Sequence, residues 1–480
     1  MNSQEKWTIR TAKMTTADLI NPETTVTVNT PCGKVKGLQY DGYRLYKGIQ
    51  YATCQRWEPA VPVTAWEGVY DATQWGPRAM QFKGYYGRPS TATNAFYSAE
   101  PLFEVNNQYC EDALNLNIWA PTDAKDCPVL FWIHGGAFLN GSGSDPWIDG
   151  EAYAKSGVIL VSINYRLGPW HQVCGNGYLG NLCLTDQITA IEWVKRNIQA
   201  YGGDPDRITI AGESAGAMSV QCILFSPMLK KGMISGGIIM SDGGSFFHHT
   251  TSDDVKDVWD TVKEKMGVQT IQELKDVPAV DVYRSWASSL GTNLTSIYPV
   301  INGESRTCSV QDALASNQIA DVPVMFGFLS EDMYPRSMYQ QAVDFGKARC
   351  AAGGKPVYVY DFNRKQIEPD GSFSPFGAYH AADLFYVFAT LYRNHRPYNE
   401  IDFRISTAMV NYIVNFCKNG DPNGDGLVYW EPITEQSSSC MNFGDAPCGM
   451  IDPNLDNLEA QEKKGILFPA LSDWNPSPIQ

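Results

Sequence analysis

A single serine sits among almost nothing but small side chains: residues 211–217 spell AGESAGA and follow the β-branched run ITI directly. The spacing Gly212-x-Ser214-x-Gly216 suits a sharp strand-to-helix turn that lifts the hydroxyl out as a nucleophile, because bulky neighbours two residues away would collide there. In a chain with 42 glycines, composition alone yields roughly a quarter of one such match. The triplet GES recurs at 303–305 without the second glycine, so the surroundings must decide.

A serine nucleophile needs a base, a group to orient that base and donors for the developing oxyanion. Residues 134–138, HGGAF, follow the apolar run VLFWI. Adjacent small residues leave backbone N–H groups uncovered, as an oxyanion hole requires; the bland reading is a glycine turn. The run VPVMFGF leads into LSEDM, which offers Glu331 and Asp332 as carboxylates. Hydrolases with this serine turn order their groups as serine, acid, histidine, which leaves only His380 and His395 of the six histidines. His395 stands between Arg393 and Arg396, where positive charge lowers basicity. His380, in GAYHAADLFYVF, is therefore the expected base.

These residues have to be held by something, and the chain supplies short apolar runs separated by longer amphipathic ones. VLFWI (129–133), VILVSI (158–163), ITI (208–210), GIIM (237–240), VPVMFGF (322–328) and VYVYDF (357–362) lack alternation, as strands buried on both faces of a parallel sheet do. The stretch LTDQITAIEWVKRNIQAYGG has helical apolar spacing and stops at Gly202 and Gly203. This alternation predicts an α/β fold with a mostly parallel, doubly wound central sheet flanked by helices. Active sites of such sheets lie beyond the carboxyl ends of the strands, where the candidates above fall. No repeat or linker is visible, so residues 1–480 are expected to form one domain, with 1–30 as an N-terminal extension. Residues 82–108 are expected as a surface loop, and the part from Ser437 onward as loop plus a terminal helix.

Composition narrows the partners. Thirty-seven Lys and Arg against 52 Asp and Glu leave a net charge of -15, which disfavours nucleic acid and anionic membranes. No run approaches the roughly 18 apolar residues needed to span a bilayer. The amino terminus has scattered charges and no apolar core, unlike a secretory leader. Twelve cysteines form no Cys-x-x-Cys pair or Cys/His cluster, so neither metal nor cofactor is expected. DPNGDG (421–426) imitates the start of a calcium loop, yet its twelfth position is Pro432 rather than a bidentate glutamate; a turn is expected. Asn293 heads a glycosylation sequon that matters only in a secreted chain.

From about Gly33 to Pro432 the chain resembles the type-B carboxylesterases, α/β-hydrolases that also include cholinesterases and neuroligins. The resemblance rests on GIQYA, EDALNLNIWAP, HGGAF, NYRLG, DQITAIEWVKRNIQAYGGDPDRITIAGESAGA, GAYH with DLFYVF, and NFCKNGDPNG, in family order. It implies an α/β-hydrolase fold and two-step hydrolysis of small, largely neutral esters through an acyl-enzyme. Ser214 would be the nucleophile, His380 the base, and Gly136, Ala137 and Ala215 the oxyanion donors. Glu213 matches the acidic residue before the nucleophile, and Ser241 a serine that supports the catalytic acid. An ungapped count from Gly327 puts Asp332 on the catalytic acid, where the family has glutamate; a shift of one residue would make it Glu331. Ala79 and Ala113 stand where many relatives carry a cysteine pair, which points to a reducing, cytoplasmic setting, or to secretion if a leader has been removed. The alternatives are an amidase or peptidase with the same triad and a non-catalytic, neuroligin-like binding protein. The expected partner is a small-molecule ester, with room for a homodimer.

Overall fold

Each of the six apolar runs contributes a strand, and their lack of alternation follows from what covers the sheet. The computed structural model describes residues 24–81, 108–175, 178–244, 250–290, 294–394 and 396–464. Along its main path the sheet contains β1 (Thr24–Thr30), β2 (Gly33–Tyr40), β3 (Tyr43–Gln50), β4 (Asn115–Pro121), β5 (Cys127–Ile133), β6 (Ile159–Ile163) and β7 (Gly203–Glu213). It continues through β8 (Gly236–Met240), β9 (Val324–Leu329), β10 (Val357–Phe362), β11 (Cys440–Phe443) and β12 (Gly449–Ile451). The spatial order is β1-β2-β3-β4-β6-β5-β7-β8-β9-β10-β11-β12. From β6 to β11 every neighbouring pair is parallel.

Along β5, Val129, Phe131 and Ile133 join one core cluster while Leu130 and Trp132 join another. The first face is covered by helices α2 (Leu182–Asn197), α3 (Ala215–Phe225) and α4 (Pro335–Ala351), the second by α1 (Glu151–Lys155) and α5 (Glu400–Asn419). With helices on both faces, each strand side chain meets apolar neighbours whichever way it points, and each large one contributes about 1.5–3 kcal/mol by leaving water. Helix α2 gives way to a short 3-10 turn that ends at Gly202, φ +85°, where a Cβ would overlap Ala124.

Two boundaries differ from the sequence expectation. Thr24–Thr30 pairs with β2 along its whole length, so the sheet begins inside the stretch assigned to an amino-terminal extension; its Thr/Val alternation suits an edge strand with one wet face. The part beyond Ser437 adds β11 and β12 before its helix, Leu455–Lys463, because four residues, CMNF, are too short a run to announce a strand. The expected surface loop, apart from Gln108, and Asn293 and His395 lie outside the described residues.

The order reverses at β5: the chain goes from β5 out to β6 and returns to β7 on the other side. That reversal opens a crevice at the strand ends. HGGAF leaves β5 and GESAG leaves β7 on either side of it, with Ile133 and Gly212 in register.

Candidate active site

Ser214 occupies the turn between β7 and α3 with φ +55° and ψ -122°, a conformation that costs a residue with a Cβ about 1–3 kcal/mol. The residues two positions to either side are glycines because backbone passes close by. A Cβ on Gly212 would overlap the carbonyl of Gly216, and one on Gly216 would overlap the carbonyl oxygen of Ile133. Across the crevice a Cβ on Gly135 would stand 3.1 Å from that of Ser214. Gly136 and Ala137 have φ of +108° and +54°, which turns their amides out of the usual ladder. Among the described residues, the N–H groups of Gly136, Ala137 and Ala215 donate no hydrogen bond. Three free donors beside a serine at the start of a helix suit an anion.

The acid and histidine arrive from the ends of β9 and from the segment after β10. His380 is buried and its Nδ1–H donates to Asp332 Oδ1 at 2.8 Å, and the Asp332 side chain is fully buried. Glu331 points elsewhere: its Oε2 accepts the N–H of Ala378 at 2.9 Å, tying down the backbone two residues before the histidine. The ungapped count from Gly327 thus leads to the carboxylate that touches the imidazole. Nε2 faces Glu213 Oε1 at 3.2 Å, and no hydrogen bond joins Ser214 to His380 among the described residues.

Burial raises the carboxyl of Glu213, further lifted by Asp383 and Asp332 and partly offset by His380, to about 8. Burial lowers His380, but Asp332, Glu213 and Asp383 outweigh it and hold the imidazole up, near 9. Asp383 is itself raised by burial to about 6, against the hydrogen bond from the Tyr360 hydroxyl at 2.8 Å. One imidazole thus faces several buried carboxyls. Asp383 and Tyr360 were not singled out from sequence; the only signal was an aspartate three residues after the histidine.

Other motif residues hold the scaffold. Burial drives His134 down to about 4, and its ring stacks on Tyr165 at 4.4 Å. Arg166 of NYRLG grips Asp186 of DQITAIEW through two bonds of 2.8 and 2.6 Å. The Ser241 hydroxyl and Asp332 Oδ2 are buried without a partner among the described residues, so the expected support of the acid by Ser241 is not made; the aspartate is one methylene shorter than the family's glutamate. In DPNGDG, Asn423 spends its side chain on Asp421 and on both backbone groups of Trp430, which makes a closed turn. Among the described residues no group of three His, Cys, Asp or Glu is placed to hold a metal ion, and no helix is long and apolar enough to cross a membrane.

The carboxylesterase family model matches residues 24–349 and 337–463. A para-nitrobenzyl esterase of Bacillus subtilis is 29% identical over 92% of this chain and 98% of its own. The bile salt-activated lipase of Rattus norvegicus is 30% identical over 85% of this chain and 79% of its own. The solved structure of a thermophilic PNB esterase superposes with a TM-score of 0.77 at 25% identity, covering 91% of this chain and all of the other.

Proposed function

The chain belongs to the carboxylesterase family, has the α/β-hydrolase fold and is a carboxylic ester hydrolase, and from that premise we propose that it cleaves small, largely neutral esters through an acyl-enzyme on Ser214. Once the His380 imidazole is neutral, attack of Oγ on the ester carbonyl passes the serine proton to Nε2, and the alcohol leaves with that proton. Water then repeats the sequence on the acyl-enzyme and releases the acid. Asp332 orients the imidazole and stabilises its positive form. The amides of Gly136, Ala137 and Ala215 hold the oxyanion. A surplus of 15 negative charges disfavours anionic substrates.

The observation that carries this reading is the 2.8 Å bond between Asp332 and His380, made at the end of the sheet that presents Ser214. For proton transfer Nε2 exchanges Glu213 for the serine hydroxyl, a contact that commonly tightens only with substrate bound. Free thiols at the eleven cysteines with described side chains support a reducing, cytoplasmic setting. Labelling with a serine-reactive phosphonate tests the assignment: the adduct is expected on Ser214 together with loss of ester hydrolysis. An adduct elsewhere, or full activity with Ser214 labelled, rejects it.

A further inference from the structure

On the second face of the sheet, β9 and β10 pair so that Gly327 and Tyr360 are cross-strand partners. A Cβ on Gly327 would lie inside the Tyr360 ring. Only glycine lets that ring lie flat over its own neighbour. The ring is packed edge-on by Trp430 at 6.3 Å and Phe443 at 5.7 Å, and it carries its hydroxyl, wholly buried, to Asp383 Oδ2 at 2.8 Å. Asp383 is 0% exposed, its other oxygen meets no donor among the described residues, and it lies three residues after His380 at the start of the helix Leu384–Val387.

We propose that Tyr360 is a positioning residue of the esterase: through the gap left by Gly327 its hydroxyl fixes the Asp383 carboxylate behind the His380 loop, and the pair sets how firmly the imidazole holds its proton. This rests on His380 being the base. The groups facing His380 are Asp332 from the end of β9 and Glu213 from the end of β7, and the buried Asp383, three residues further along its own segment, acts on it through charge. Those facing the pair are His380, Asp332, Glu213 and, from α1, Tyr153. The tyrosine hydrogen bond favours ionised Asp383, and ionised Asp383 favours imidazolium. Removing the hydroxyl therefore lets Asp383 take a proton and releases the imidazole at lower pH.

The test is the pH profile of kcat/KM on one activated ester. Tyr360→Phe is expected to lower kcat about fivefold at the plateau, leave KM within about twofold, and move the acid limb down by about half a pH unit. Asp383→Asn should move the limb the same way and further. Gly327→Ala should reproduce Tyr360→Phe, and should add little in the Tyr360→Leu background. A limb that stays within about 0.2 pH unit in both Tyr360→Phe and Asp383→Asn overturns the proposal, because a merely structural role lowers activity or Tm without moving a titration. If Tyr360→Phe does not fold, Asp383→Asn decides. His380→Gln separates the two levels: if it stays active, the base is misassigned; if it is inactive while both limbs stand still, only the Tyr360 proposal fails.

Discussion

The two halves of the site are built from different materials. On the β5–β7 side the working parts are backbone: amides of Gly136, Ala137 and Ala215, and a serine lifted by a turn that two close-packed glycines allow. On the β9–β10 side they are the buried side chains Asp332, His380 and Asp383, which meet Glu213 from the end of β7, and mutual charge alters Glu213, His380 and Asp383. Backbone donors are held by local sterics and do not titrate. Buried carboxyls and an imidazole hold their geometry only as long as their protons are distributed correctly. One half should therefore be sensitive to volume, the other to charge.

Ser214 belongs to both halves, and Ser214→Ala should cut kcat by about 10⁶ with the fold intact; turnover within tenfold of the parent would dissolve the site. In the side-chain half, Asp332→Asn keeps volume and removes charge, and should cost about 10⁴ in kcat. Glu331→Gln, which keeps an oxygen for the Ala378 N–H, should cost less than about tenfold. If the glutamine variant is the crippled one, the carboxylate roles are reversed. In the backbone half, Gly136→Ala changes only volume: its Cβ would overlap the Asn140 carbonyl at φ +108°. Displacing one or two oxyanion donors should cost about 10²–10³ in kcat, with the acid limb of the pH profile unmoved. A shifted limb would show that the two halves are not separable.

The smallest effect concerns stability. Burial raises Glu213 to about 8 and Asp242 and Asp361 to about 7, while facing carboxylates hold His380 near 9 against its burial. All are raised above their unfolded values, so the native state keeps protons that the unfolded chain has released. Their contribution is complete below the unfolded values and drains away as pH rises through the folded ones. Between pH 5 and pH 9, Tm should fall by about 5 °C. A Tm that rises across that window would show these groups ionised in the native state.

The contrast also marks what could be read from the chain alone. AGESAGA and HGGAF declare themselves because a close backbone approach forbids side chains, and that prohibition is written in consecutive residues. The parallel sheet was equally legible, since strands covered on both faces have no polar positions to alternate with. Short strands such as Thr24–Thr30 and Cys440–Phe443 were missed because an edge position and four residues leave little periodic signal. Counting from Gly327 led to Asp332, but the count could not say why residue 327 is glycine. That reason is the ring of Tyr360, a strand away and 33 positions later. Nor could spacing reveal that Nε2 of His380 would face Glu213 rather than Ser214, or that Ser241 would fall short of the acid. Which residues could do the chemistry follows from local sterics and residue type. Which carboxyls share a buried pocket with one imidazole, and so where each proton resides, follows from the folding of β7, β9 and β10 into adjacent strands, because burial and charge at a few ångströms have no counterpart in sequence distance.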